Sequence, residues 1–303
     1  MTLGYRRNLY MLAFDHRASF TKNLFGLPEN PAPEEAARVR DAKAVIFEGF
    51  EKARDAGAPV DETGILVDEQ FGAEIARKAR AQGVLLAMPV ERSGQEEFDF
   101  EFGEDFGAHI EDFDPTFAKV LVRYNPEGDA NLNARQAERL RRLSEWLHDR
   151  DRKFLFELLV PATPQQLASV ESEAELYDLQ LRPRLMAQAI EQLQGAGVEV
   201  DIWKIEGIDR PEDCRMIAEQ ARSGGRDDVS CIVLGRGANE EKVDHWLRVG
   251  AATPGFHGFA IGRTMWWDAL VAFRDGNCDR AEAAQQIADR YLRAIKLYQE
   301  ASR

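Results

Sequence analysis

The chain has 303 residues, 44% hydrophobic and 30% charged, which suffices for a large buried core and excludes a disordered chain. Its 39 basic and 53 acidic residues give a net charge of −14, which argues against a nucleic-acid or anionic-membrane surface. Any anion must therefore be held by a local cluster.

In chain order, short Leu-rich or β-branched runs alternate with segments of helical period. A strand is predicted over 9–15, a helix over 34–56, a strand over 64–68, a helix over 71–82 and a strand over 84–88. Residues 91–114 break the rhythm, being acidic and Phe-rich with one short helical candidate. Strands follow over 117–124, 153–159, 200–206, 229–235 and 258–261. The helices between and after them are predicted over 134–150, 182–194, 211–222, 240–249, 264–273 and 279–301. Eight βα units without a linker or a break in composition fit a single TIM (β/α)8 barrel over 1–303, closed by a C-terminal helical extension. A doubly wound sheet is the alternative.

Residues 1–7 are too basic and too short of apolar side chains for a secretory signal, and no apolar run approaches the roughly 20 residues of a membrane span. Cys214, Cys231 and Cys278 are spaced irregularly and match neither a disulfide framework nor a metal site. A cytoplasmic protein with reduced thiols is expected.

In a barrel, reactive groups sit at the carboxyl ends of strands and face inward. Strand alternation groups Asp15 with Met11 and Ala13, Lys119 with Leu121 and Arg123, Glu157 with Leu155 and Leu159, and Lys204 with Ile202 and Glu206. Lys204 is the most telling, since an ammonium inside an apolar strand is costly unless paired or neutralised. A neutral amine is the nucleophile that forms a Schiff base with a carbonyl. The plainer reading is a structural network in which two lysines and two carboxylates neutralise one another.

Two Gly-Arg turns close the chain's last strands. Leu234-Gly235-Arg236-Gly237 follows the seventh, and Ile261-Gly262-Arg263-Thr264 follows the eighth and opens a helix. Backbone N–H groups freed by glycine, a helix N-terminus and guanidinium groups together suit a phosphate, which barrels commonly bind at these loops. The acid-aromatic run 96–102 is read as a loop over the barrel mouth, and Trp266-Trp267 as core packing. Asp15-His16-Arg17 offers a start to a metal site, but His109, His148, His245 and His257 are scattered, so no metal and no cofactor are expected.

Several of these segments resemble a known family. Phe14-Asp15-His16-Arg17, Val67-Asp68-Glu69-Gln70-Phe71-Gly72, Glu91-Arg92-Ser93-Gly94, Lys119-Val120-Leu121-Val122-Arg123-Tyr124-Asn125-Pro126, Glu157-Leu158-Leu159-Val160-Pro161, Trp203-Lys204-Ile205-Glu206-Gly207, Leu234-Gly235-Arg236-Gly237 and Gly262-Arg263-Thr264 occur in this order. The same order is found in the aldolase domain that bacterial inositol-catabolism proteins carry behind a sugar-kinase domain. That domain is similar to tagatose-bisphosphate and sulfosugar-phosphate class I aldolases, which are TIM barrels with a Schiff-base lysine on strand six. Here the kinase half is absent, so the chain looks like a freestanding version.

The resemblance implies cleavage of 2-deoxy-5-keto-gluconate 6-phosphate into dihydroxyacetone phosphate and malonate semialdehyde, with a phosphorylated sugar acid as the partner molecule. Lys204 would form the Schiff base, and Glu157, or else Asp15, would remove the hydroxyl proton. Lys119 would lower the pKa of Lys204 by like-charge repulsion. Gly235, Arg236, Gly237, Gly262 and Arg263 would hold phosphate, Arg17 and Arg123 are candidates for the substrate carboxylate, and Glu91 completes the substrate-binding set. Nucleic acid and membrane are not expected as partners, and a homo-oligomer is compatible with the sequence. Another sugar-phosphate or sulfosugar-phosphate aldolase or transaldolase would share Lys204. A non-catalytic sugar-phosphate-binding barrel would have no use for it.

Overall fold

Each of the eight apolar runs forms a parallel strand in the computed structural model, which describes residues 2–303, so Met1 of the basic amino terminus lies outside the described residues. The strands are β1 (Leu9–Ala13), β2 (Thr63–Leu66), β3 (Leu85–Pro89), β4 (Phe117–Arg123), β5 (Lys153–Leu159), β6 (Ile202–Glu206), β7 (Ser230–Leu234) and β8 (Phe256–Ile261). They pair in sequence order, and β8 returns to β1 with Tyr10 opposite Phe259. This closed ring is a TIM barrel and excludes the doubly wound sheet.

The helices around it are α1 (Ala18–Phe25), α2 (Pro33–Asp55), α3 (Glu69–Ala81), α4 (Phe106–Phe113), α5 (Ala130–His148), α6 (Pro164–Ser169), α7 (Ala174–Gln180), α8 (Arg182–Gly195), α9 (Pro211–Ala221), α10 (Glu240–Ala251), α11 (Arg263–Arg274) and α12 (Arg280–Ala301). The long helices match the predicted spans to within a few residues. The short α1, α6 and α7 have no counterpart in the sequence reading, because one or two turns are too few to establish a period. The strands β1 and β2 stop before Asp15 and Asp68, so these carboxylates project from loops rather than from the ladder.

Two cores follow from the pleat. Residues of one parity, including Met11, Ala13, Leu66, Phe117, Leu155, Ile202, Ile232 and Ala260, fill the barrel interior. Those of the other parity, such as Tyr10, Leu12, Phe156 and Trp203, pack against the helices. The amino-terminal segment closes the base of the barrel. Tyr5 sets its ring edge-on to Phe117 at 5.2 Å, and the Gly4 N–H donates to Asp201 Oδ1 at 2.7 Å. Over the outer layer α12 lies close on α2, where a Cβ at Gly49 would stand 2.7 Å from Ile287 Cγ2.

Candidate active site

Above the apolar interior the inward positions turn charged. Lys119 on β4, Glu157 on β5 and Lys204 on β6 continue the files begun by Phe117, Leu155 and Ile202, and form the floor of a cavity of about 420 Å3. Glu157 and Lys204 are register partners on neighbouring strands. Both lysines are buried, Lys119 at 1% and Lys204 at 2% exposure, so their charges must be met by neighbours.

They are. Lys204 Nζ lies 2.9 Å from Glu157 Oε2. Lys119 Nζ is surrounded by Glu91 Oε1 at 2.7 Å, Asp15 Oδ2 at 2.9 Å and Glu157 Oε2 at 3.1 Å. Burial disfavours the Lys119 ammonium, but Asp15, Glu157 and Glu91 outweigh it and hold the pKa well above the usual lysine value. Lys119, expected from the sequence to act on Lys204 by like-charge repulsion, is not an isolated cation. Three carboxylates screen it, and one of them, Glu157, bridges both ammonium groups.

The carboxylates differ among themselves. Burial alone would raise Asp15, yet Lys119 and Lys204 hold its carboxyl well below the ordinary range. Glu157 is likewise lowered, burial being overcome by Lys119 and Lys204. Glu91 goes the other way, because burial exceeds the opposing pull of Lys119 and Arg17 and pushes its carboxyl up. Beside Asp15, burial brings His16 down to about 4, so its imidazole is neutral near pH 7. The ring meets Trp266 edge-on at 5.6 Å.

The predicted phosphate loops form another part of the wall, with Gly235, Arg236, Gly237, Gly262 and Arg263 all lining the cavity. Helix α11 starts at Arg263 without a side-chain cap, and its first residue borders the cavity. The two arginines are held differently. Arg236 sits at φ 51° and turns onto carboxylates, with Nη1 2.6 Å from Asp178 Oδ2 and Nε 3.0 Å from Glu206 Oε1. Arg263 donates from Nη2 to the Arg236 carbonyl at 2.9 Å and lies over Gly237, where φ is +71° and a Cβ would come within 2.4 Å of the guanidinium. Gly237 is thus favoured by its left-handed backbone, and a side chain there would also displace the Arg263 guanidinium.

Arg17 and Arg123 also line the cavity. The Arg17 side chain is only 5% exposed and acts as a brace, with Nη2 donating to the Glu91 carbonyl at 2.6 Å and Nη1 3.3 Å from Glu101 Oε2. Arg123 is 31% exposed and is tethered through Nη1 to the Gln95 carbonyl at 2.7 Å. The stretch from Arg92 to Phe102 is a loop at the mouth, pinned by buried Phe98 and Phe100 and by a bridge between Glu91 and Phe100.

All the residues proposed from the sequence as catalytic or substrate-binding thus border one cavity. Sequence reasoning missed the supports. Arg182 is buried beside Glu206, with Nη1 3.1 Å from its Oε1, and so fixes the carboxylate that holds Arg236. Lys43 on α2 is fully buried and donates to the carbonyls of Phe14 at 2.8 Å and His16 at 2.9 Å, the residues on either side of Asp15, and to Asp68. A buried acid at the end of β6 calls for a cation, but nothing in the spacing pointed to Arg182. Among the described residues no three His, Cys, Asp or Glu side chains form a cluster able to hold a metal ion. No helix among them is long and apolar enough to cross a membrane.

The chain belongs to the family described as an uncharacterized protein conserved in bacteria (DUF2090), which matches residues 4–302. No curated protein matches it. Among solved structures it is similar to a fructose-bisphosphate aldolase from Plasmodium falciparum, with a TM-score of 0.62 and 15% identity over 96% of this chain and 91% of that one. It is also similar to the protein Cgl0159 from Corynebacterium glutamicum, with a TM-score of 0.57 and 18% identity over 96% of this chain and 87% of that one. At such identities the likeness is one of fold, the closed parallel barrel.

Proposed function

We propose that this chain is a Schiff-base aldolase that cleaves a phosphorylated keto sugar acid, with 2-deoxy-5-keto-gluconate 6-phosphate as the substrate its sequence resemblance favours. The observation that carries the reading is the buried pair of Lys204 and Glu157, 2.9 Å apart on the floor of a cavity whose far wall offers an uncapped helix N-terminus and Arg263. The barrel shared with the Plasmodium falciparum aldolase supports it.

In this reading Glu157 accepts a proton from Lys204, and the amine adds to the substrate ketone. The carbinolamine loses water to give an iminium, an electron sink that lets the adjacent carbon–carbon bond break once a neighbouring hydroxyl gives up its proton. Glu157, beside the nitrogen, is placed to return the proton that water needs on leaving. The phosphate falls to the loops after β7 and β8. The carboxylate falls to Arg123, since Arg17 is buried and already engaged.

Borohydride added with dihydroxyacetone phosphate tests the reading. It should leave a reduced adduct on Lys204, and Lys204→Met should be neither labelled nor active. Absence of an adduct from the native protein, or labelling of Lys119 instead, would overturn it.

A further inference from the structure

Within Asp15-His16-Arg17, His16 is the residue that the Schiff-base reading leaves without a role. It lines the cavity with its side chain 28% exposed, beside Asp15 and against the turn at Gly262 that opens α11. A Cβ at Gly262 would stand 3.1 Å from His16 Cε1, so the bare glycine gives the ring its place. Other groups hold the ring still. Trp266 meets it edge-on at 5.6 Å and is itself anchored by donating from Nε1 to the Ala13 carbonyl at 3.0 Å, while Lys43 Nζ fixes the His16 carbonyl at 2.9 Å.

The two ring nitrogens have different surroundings. Nδ1 is sealed from solvent without a hydrogen-bond partner and lies 4.0 Å from Asp15 Oδ1. Nε2 also makes no hydrogen bond with the protein, but it is not sealed and belongs to the exposed part of the ring. Lys119 and Lys204 keep Asp15 ionised, and an anion beside Nδ1 favours the tautomer that carries the proton there. Nε2 is then an acceptor open to the cavity. Lys204 and Arg263 are both close enough to oppose a charge on the ring, so this acceptor lies near the Schiff-base lysine and near the phosphate loops.

We infer that His16 binds substrate, its Nε2 accepting a hydrogen bond from a hydroxyl of the keto fragment carried on Lys204. The inference rests on the Schiff-base reading and adds a basis for choosing among ketones. A phosphate or carboxylate oxygen has no proton to give and gains nothing from Nε2. A ligand with a methyl group at this point would leave the acceptor facing an apolar group in place of water, so the site selects for the hydroxyl.

Dihydroxyacetone phosphate and hydroxyacetone phosphate test it, since they differ only in a hydroxymethyl group that the second replaces with methyl. The concentration of each that half-saturates borohydride inactivation through Lys204 measures its binding, and the ratio of the two values reads the hydroxyl. His16→Phe keeps a flat ring against Trp266 but offers no acceptor. The ratio should shift against dihydroxyacetone phosphate by about tenfold, with hydroxyacetone phosphate trapped as by the native protein. His16→Ala removes the ring without adding bulk, should shift the ratio in the same way, and decides the matter if His16→Phe does not fold. The inference falls if the ratio stays within about twofold of the native value. It falls equally if both ketones weaken alike, because a ring needed only to support Asp15 or the Gly262 turn would not distinguish them. A native protein that forms no Lys204 adduct with either ketone would overturn the Schiff-base reading, and the inference with it.

Discussion

Glu157 and Lys204 face each other in register on β5 and β6, and the carboxylate oxygen that meets Lys204 Nζ at 2.9 Å also meets Lys119 Nζ at 3.1 Å. One acid is therefore shared between two ammonium groups at the centre of the barrel. Burial opposes its ionisation, but the two lysines prevail, so it remains a carboxylate to a lower pH than an exposed glutamate.

On the Schiff-base reading, the 2.9 Å contact makes Glu157 the nearest acceptor for the Lys204 proton. Glu157→Gln should lower kcat by about 10² to 10⁴, the range of a lost general base. The rate of borohydride trapping should fall with it. Trapping at the native rate would show that Glu157 serves only to balance charge.

Arg263 and Arg236 should separate in kinetics. If the loops after β7 and β8 hold phosphate, Arg263→Ala removes a charge-assisted contact to a dianion, worth roughly 1.5–3 kcal/mol, or about tenfold to a hundredfold in KM for a phosphorylated substrate. A dephosphorylated analogue should lose little. Arg236→Ala should raise KM less, because two of its nitrogens are already committed to Asp178 and Glu206. Equal penalties on both substrates in the Arg263 variant would assign Arg263 a structural role.

Asp201 ties the base of the barrel together, accepting from Gly4 N and Lys153 Nζ through Oδ1 and from Phe154 N and His148 Nε2 through Oδ2. Burial would raise its pKa, but His148, Lys153 and the Phe154 N–H bring it below the usual range. The stabilisation is therefore fully present above the unfolded value of about 3.9 and is lost as pH falls through the lower folded value. Asp201→Asn should cost roughly 1.5–3 kcal/mol at neutral pH, and the penalty should shrink below about pH 3.9. Denaturant titrations across that span check it, and a penalty independent of pH would refute it.

Lys43 and Asp68 are both fully buried and paired. Lys43→Met strands the Asp68 carboxylate, which should cost about 3–5 kcal/mol. Adding Asp68→Asn removes the stranded charge, so the double variant should be more stable than the sum of the single losses predicts. Strict additivity in chemical denaturation would show that the two side chains do not depend on each other.

The sequence by itself determined the strands and the parity of their side chains. Alternation along 117–124, 153–159 and 200–206 puts Lys119, Glu157 and Lys204 on the same face as Phe117, Leu155 and Ile202, because successive side chains of a strand point to opposite sides. It also marked the Gly-Arg turns, since glycine and a helix start leave a local signature. What each charge touches was decided only by closure of the barrel. Glu91 and Lys119, and Asp15 and Lys119, lie 28 and 104 residues apart, and nothing local states that three acids converge on one lysine. The same holds for Lys43 beneath Asp15 and for Arg182 behind Glu206, both of which come from helices packed outside the ring. Side-chain periodicity is a property of a few consecutive residues. Which carboxylates meet which lysine is a property of distances between elements, and those exist only once the eight strands have closed.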